Sequence, residues 1–237
     1  MEYLLVGTIH EEDSNPLVCS STLYNLAEIF KPDCIQVECG IDEYHLFKEK
    51  MFDSTSNSVE ANFFSKYARK YNIDLTPIDM AGKSQTFYNS QYWKKENDIF
   101  SKIEILASRF EKIKEYFRLS EYIDEIKTKG SLSLLNSSFF DRLWQRSYEI
   151  YDNEIKKAVR KYYPKEYDFY NYTIELRNKR DNEIFKNIFR FSEHKNRIMI
   201  LLGAGHAQPL RNRIEKISRK VKNKFRSIWE IKENKII

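Results

Sequence analysis

The apolar residues of this chain form two kinds of pattern, which alternate along its N-terminal third. Short, nearly continuous apolar runs are typical of strands buried in a parallel sheet, and they occur as EYLLVG (2–7), CIQVEC (34–39) and IDLTPID (73–79). Between these runs, residues 19–30 and 58–71 carry apolar side chains at helical spacing. The alternation of strand and helix predicts a parallel α/β sheet.

The strand pattern stops after residue 82 and returns near residue 196. In between, helical spacing predicts helices over 98–117, 138–163 and 172–191, with a turn at KGSLSLLNSS (129–138). RIMILLG (197–203) predicts another strand, which is followed by a helix from His206 to about Lys222 and a last strand, SIWEIK (227–232). We therefore predict an α/β fold with a mostly parallel central sheet flanked by helices and interrupted by a large all-helical insertion. Residues 1–82 and 196–237 form the predicted α/β core, and residues 83–195 form the insertion, which ends in an arginine-bearing helix.

Composition narrows the class of protein. The chain has 237 residues, of which 41% are hydrophobic and 32% charged, so it can bury a large core beneath a solvated surface. Neither a membrane-spanning apolar run nor a signal peptide is visible, and we expect a cytoplasmic protein that does not bind a membrane. The three cysteines lack the spacing of a disulfide framework or a zinc ribbon, and we interpret them as buried thiols.

The formal net charge of +5 does not by itself indicate a nucleic-acid partner. Basic residues are concentrated at 211–226, where eight of them accompany one acidic residue. We interpret this stretch as a solvated helix face, with an anionic partner as the alternative. The long amphipathic helices of the insertion could also pair between subunits, so an oligomer stays open.

Polar residues and glycines stand at the predicted strand ends: Gly7 and His10 after the first, Glu38 in the second, Asp79 in the third, and Gly203, Gly205 and His206 after the fourth. Ligands of parallel sheets bind outside these carboxyl ends. A carboxylate such as Glu38 in a buried run is costly unless it is bound or paired, and Arg180 is a candidate partner. The glycines allow sharp turns and leave room for a ligand. Two G-x-x-H strand ends and a carboxylate together predict a functional cleft.

These motifs resemble those of the TraB/PrgY–Tiki family, which extends to erythromycin esterase-like proteins. The resemblance rests on LLVGTIH, IQVECG and LLGAGHAQPL, and on the segment KRDNEI (179–184) in the place of the family's arginine segment. In that segment lysine and isoleucine stand where family members have glutamate and methionine, so Arg177 is an alternative to Arg180. The family's arginine after the third-strand aspartate is absent, because Met80 follows Asp79.

The resemblance implies a hydrolase of amide, peptide or ester bonds that acts on a peptide or a small carbonyl compound. In a metal-dependent version, His10, Glu38 and His206 bind manganese, cobalt, iron or zinc. Arg180 then stabilises an oxyanion, and Asp79 orients a histidine. The candidate substrate-binding residues are Gly7, Gly203, Gly205, Arg177 and Asp181.

Three alternatives stay open. A metal-free hydrolase would use a histidine as general base on water, with Glu38 fixing its tautomer. A non-catalytic regulator would bind a peptide or an anion in the same cleft, and a purely structural role would have the polar strand ends tie the insertion to the sheet. The sequence lacks a dinucleotide fingerprint and a Walker loop, so we expect no nucleotide cofactor. We predict that His45 and His194 lie at the surface.

Overall fold

The computed structural model describes residues 1–9, 15–45, 49, 58–82, 89–221, 223–228 and 230. Its sheet consists of β1 (Glu2–Thr8), β2 (Cys34–Gly40), β3 (Asp74–Asp79), β4 (Arg197–Gly203) and β5 (Lys224–Arg226). The strands are all parallel and stand in the order β3-β2-β4-β1-β5. The prediction of a parallel α/β sheet is confirmed.

The helices of the described part are α1 (Ser20–Phe30), α2 (Val59–Tyr71), α3 (Ser90–Ala107), α4 (Glu111–Lys129), α5 (Leu132–Leu135), α6 (Ser138–Glu149), α7 (Lys156–Tyr162), α8 (Tyr167–Arg190) and α9 (Ala204–Lys220). A π-helical segment, Ile150–Ile155, joins α6 to α7, and a short 3₁₀ turn, Ile41–Glu43, follows β2. Helices α3 to α8 fill the span between β3 and β4, as the predicted insertion requires. Among the residues described, none of these helices has the length and apolar character needed to cross a membrane.

Helices cover both faces of the sheet, and successive side chains of each strand point to opposite faces. On one face, Leu4 of β1 belongs to a cluster with α1 and α2, to which Phe63 contributes its ring. On the other face, Leu5 packs with Ile184 of α8 and Leu210 of α9. The near-continuous apolar runs of the strands are explained by this double coverage.

The helical insertion has a hydrophobic core of its own. Ile103 of α3, Ile113 of α4 and Tyr170 of α8 are buried together there. Helix α8 also contributes Ile184 to the core under the sheet, so it belongs to both clusters. The helix that carries Arg180 therefore joins the insertion to the strands.

Several predicted helix boundaries differ from the structure. The predicted helix 98–117 is wrong as a single element, since α3 ends at Ala107 and α4 begins at Glu111, with Phe110 between them packed 5.5 Å from the Tyr162 ring. The predicted turn 129–138 contains the short helix α5. Helix α8 begins at Tyr167 rather than at residue 172, and α9 begins two residues before His206.

The predicted strand 227–232 is wrong in its described part, where Ile228 and Glu230 are helical. The strand lies earlier, at Lys224–Arg226, and pairs with Glu2–Leu4 of β1. The apolar Ile228 that suggested a strand is instead buried in the cluster of α1 and α2. Charged side chains on so short an edge strand are a common protection against pairing with other chains.

The outer edge of β1 changes its partner along the strand. Strand β5 covers Glu2–Leu4, whereas further along, at Gly7, the side-chain amide of Asn136 takes the place of a strand. The Gly7 N–H donates to Asn136 Oδ1 at 2.6 Å, and Asn136 Nδ2 donates to the Gly7 carbonyl at 2.9 Å. Nδ2 also donates to the Leu132 carbonyl at 2.9 Å. Asn136 therefore satisfies both backbone groups of Gly7 and ties the insertion to β1.

We expect Asn136→Ala to lower the free energy of unfolding by roughly 2 to 4 kcal/mol, because two buried backbone groups of Gly7 lose their partners. Urea denaturation followed by circular dichroism measures the loss. The matched control is Asn153→Ala, because Asn153 is exposed and bonds to a carbonyl of its own turn, Glu149 O. That change should cost less than about 0.5 kcal/mol. Similar losses in both variants would contradict the role assigned to Asn136.

Candidate functional site

Two carboxylates at neighbouring strand ends share one arginine. Asp79 ends β3, Glu38 lies near the end of β2, and Arg180 reaches both from α8. The guanidinium Nε and Nη2 donate to the two Asp79 oxygens at 3.0 and 2.7 Å, and Nη2 also donates to Glu38 Oε1 at 2.5 Å. The side chains of Asp79 and Glu38 are 0% and 6% exposed. This bidentate contact fixes Arg180 at the carboxyl edge of the sheet.

The arginine stays charged in this buried position. Burial acts to lower the pKa of Arg180, but the hydrogen bonds to Asp79 and the charge of Glu38 outweigh burial and raise the pKa above its usual value. A buried carboxylate next to a permanent positive charge needs no bound ligand to be stable. The structure thus confirms the pairing of Glu38 with Arg180 that the sequence suggested.

The second oxygen of Glu38 reaches the central strand. Glu38 Oε2 accepts a hydrogen bond from the backbone N–H of Gly203 at 2.6 Å. Gly203 ends β4 and is the residue from which α9 begins. Glu38 therefore connects the ends of β2 and β4 with α8, and it fixes the position at which α9 starts.

His206 lies in the first turn of α9 and is oriented by a carboxylate of α8. Its Nδ1 is 2.9 Å from Asp181 Oδ1. Because a carboxylate only accepts hydrogen bonds, Nδ1 must carry the proton, and the neutral ring then has its lone pair on Nε2. Nε2 lies 3.9 Å from Glu38 Oε1, too far for a direct hydrogen bond. Asp181, rather than Glu38, fixes the tautomer of this histidine.

The cluster carries more negative than positive charge. Glu38, Asp79 and Asp181 contribute three carboxylates, and Arg180 contributes one guanidinium. The His206 imidazole is 21% exposed, which makes it the most accessible member of the cluster.

The described donors do not by themselves fit a divalent metal. Both Glu38 oxygens already accept hydrogen bonds, and the oxygen facing His206 Nε2 is the one 2.5 Å from Arg180 Nη2. A cation between Glu38 and His206 would lie beside that positive charge. Among the described residues, no group of three or more potential ligands is placed to hold a metal ion. The third predicted ligand, His10, lies outside the described residues, and the metal stays a prediction.

Arg177 belongs to a different part of the molecule. Its Nη2 donates to both oxygens of Asp152 at 2.7 and 2.6 Å, and its guanidinium stacks 4.4 Å from the centre of the Tyr148 ring. Of the two arginines that the sequence left as alternatives, Arg180 is the one that contacts the strand-end carboxylates. Arg177 lines a cavity between the helices of the insertion.

The predicted glycines have different surroundings. A side chain at Gly7 would meet the Ala204 Cα and the Ala207 Cβ at 3.2 Å, so this glycine lets α9 pack against β1. Gly205 lies against the Trp144 ring, and its carbonyl accepts a hydrogen bond from the Tyr148 hydroxyl at 3.2 Å. The space beside these two glycines is occupied by protein atoms.

The structure brings together Glu38, Asp79, Arg180, Asp181 and His206, which the sequence had marked separately at strand ends and on one helix. His45 and His194 are exposed, as predicted. Asn136 and Tyr148 were missed, because Asn136 lies in the predicted turn 129–138 and Tyr148 in a helical stretch, and the apolar pattern marks neither residue. Scans of the chain against protein-family models, curated proteins and solved structures returned no match.

Proposed function

We propose that this chain hydrolyses ester or amide bonds, with His206 as general base toward water. The observation that carries the proposal is the Asp181–His206 hydrogen bond of 2.9 Å, which leaves Nε2 available at the carboxyl edge of the sheet. The motifs shared with the TraB/PrgY–Tiki family point to the same reaction class. The metal-free version is preferred because both Glu38 oxygens already accept hydrogen bonds, from Arg180 and from the Gly203 N–H.

The attacking water is held by two acceptors. His206 Nε2 and Glu38 Oε1 are 3.9 Å apart, close enough for one water molecule to donate to both. As water attacks the carbonyl carbon, its proton passes to Nε2, and Asp181 stabilises the imidazolium. The proton then moves to the leaving oxygen or nitrogen as its bond to carbon breaks, which restores the neutral ring.

The developing oxyanion has donors in the same turn. The first N–H groups of a helix lack intrahelical acceptors and point beyond its N-terminus. Those of Ala204 and Gly205 precede His206 directly, and in this proposal they donate to the carbonyl oxygen of the substrate. Arg180 acts through Glu38, since its contacts with Glu38 and Asp79 hold the acceptor of the water in place.

The test is hydrolysis of p-nitrophenyl acetate, p-nitrophenyl butyrate and a fluorogenic peptide amide by the purified chain. We expect His206→Gln to lower kcat/KM by about 10² to 10⁴, because general base catalysis contributes that much. The matched control is His194→Gln, an exposed histidine, which should keep wild-type activity. Thermal melts of all three proteins establish that each is folded.

Three results would contradict this function. The folded wild-type chain could turn over neither esters nor amides, or His206→Gln could be as active as His194→Gln. Activity lost in EDTA and restored by manganese, cobalt, iron or zinc would replace the metal-free reaction with the metal-dependent one.

A further inference from the structure

The helices of the insertion line an open cavity of about 360 Å³. Helices α3, α4, α6 and α8 and the π-helical segment contribute its walls, and half of the lining residues are aromatic. This volume suits a small organic molecule or one side group of a larger one. The aromatic residues of the lining include Tyr92, Tyr116, Trp144, Tyr148 and Tyr151.

The aromatic walls are held in place by contacts behind them. The Tyr151 ring packs 4.9 Å from Tyr170 and 5.7 Å from Tyr116, and the Tyr170 hydroxyl donates to the Tyr151 carbonyl at 2.6 Å. Tyr151 lies in the π-helical segment, a local widening that is often found at functional sites. These contacts fix the positions of aromatic rings that line the cavity.

One carboxylate that lines the cavity, Glu96, has no lysine or arginine partner among the described residues. It accepts a hydrogen bond from the Tyr92 hydroxyl at 3.3 Å. The pKa of the Glu96 carboxyl is raised because burial disfavours its charged form. A bound cation would remove this penalty.

The other charges that line the cavity are already matched. Arg177 makes its two hydrogen bonds to Asp152. Asp124, at the exposed rim, pairs with Lys127 at 2.9 Å. The net charge offered to a ligand inside the cavity is therefore that of Glu96.

We propose that this cavity binds an organic ammonium group, such as a quaternary or alkylated amine. Arg177 already stacks on the Tyr148 and Tyr151 rings, at 4.4 and 5.8 Å, so the rings left to attract such a cation are those of Tyr92, Tyr116 and Trp144. The alkyl groups of the ligand fill the apolar volume that a metal ion or an inorganic cation would leave empty. Glu96 supplies the opposite charge at one wall.

The cavity adjoins the candidate active site. Trp144 and Tyr148 line it and also contact Gly205, the residue before His206. An ammonium group in the cavity would thus lie one layer of side chains from the general base. The inference that the ammonium group is part of the substrate rests on the proposed function. The binding of an ammonium group in the cavity does not depend on that function.

The experiment compares choline with 3,3-dimethylbutan-1-ol, its uncharged carbon isostere, by isothermal titration calorimetry and tryptophan fluorescence. We expect choline to bind at least tenfold more tightly than the isostere, with a change in tryptophan emission, since Trp93 and Trp144 both line the cavity. Glu96→Gln should bring the two affinities to within about twofold. Glu104→Gln, the same change at an exposed position of α3, should keep the preference for choline.

Equal affinities of the wild-type chain for choline and the isostere would overturn the proposal, as would the absence of binding to a chain shown by its melt to be folded. An equal loss in Glu104→Gln and Glu96→Gln would also overturn it. The assay needs no turnover, so His206→Gln should bind choline like wild type. Binding in a chain without hydrolytic activity would keep this inference and reject the proposed function.

Discussion

Arg180→Ala is expected to destabilise the folded chain by about 3 to 5 kcal/mol, the usual cost of removing one partner of a buried ion pair. The variant leaves the Asp79 and Glu38 carboxylates, 0% and 6% exposed, without their guanidinium. The side-chain truncation also removes the link between α8 and two strand ends. Urea denaturation of wild type and variant at neutral pH measures the difference.

A matched control tests whether the loss of stability comes from the burial of the ion pair rather than from the removal of a positive charge. Arg118→Ala removes an arginine whose partner Glu111 is 72% exposed, and such surface pairs contribute between 0 and about 1 kcal/mol. Equal losses in the two arginine variants would show that the cluster contributes little to stability.

Asp181→Asn is expected to lower kcat/KM for ester hydrolysis by about 10² to 10⁴ while leaving the fold intact. The asparagine amide can donate to Nδ1 of His206, which moves the ring proton to Nε2 and removes the lone pair that accepts the proton of water. Because the lost interaction concerns the reacting proton, most of the effect should appear in kcat rather than in KM.

The ring tautomer can be measured directly. Nitrogen-15 NMR of the His206 ring should show a protonated Nδ1 in wild type and a protonated Nε2 in Asp181→Asn. The control is Asp168→Asn, an exposed position on the same helix, which should change neither the spectrum nor the rate. Full activity in Asp181→Asn with a shifted tautomer would exclude His206 as the base.

The strands were predictable because a strand that is buried on both faces appears in the sequence as a short, nearly continuous apolar run. The four apolar runs at 2–7, 34–39, 73–79 and 197–203 all became parallel strands. Strand β5 was not predictable from hydrophobicity, since its residues are Lys224, Phe225 and Arg226. It is selected by backbone pairing with β1 and by the charge of Glu2, which lies 3.6 Å from Arg226.

The candidate site was predictable as far as the carboxyl edge of the sheet. Parallel strands end at one edge, so Glu38 and Asp79 had to lie near each other, and a buried carboxylate needs a partner such as Arg180. The contact of Asp181 with His206 depends on how α8 and α9 are placed around the sheet, which the local sequence does not encode. The same is true of Asn136, whose amide bonds to the backbone of Gly7 where a neighbouring strand would otherwise pair. The hydrophobic pattern does not reveal this contact.

The strand order also constrains how the chain folds. Strand β4 lies between β1 and β2, and its Gly203 contacts Glu38 across 165 residues of chain. During synthesis, the N-terminal strands therefore cannot pair through their central neighbour until the whole helical insertion has emerged from the ribosome. Such long-range pairing slows folding and exposes unpaired strand edges in the interval. The helical insertion is rich in local contacts and has a core of its own, so it can form first. Helix α8 and strand β4 then pack against β1 and β2.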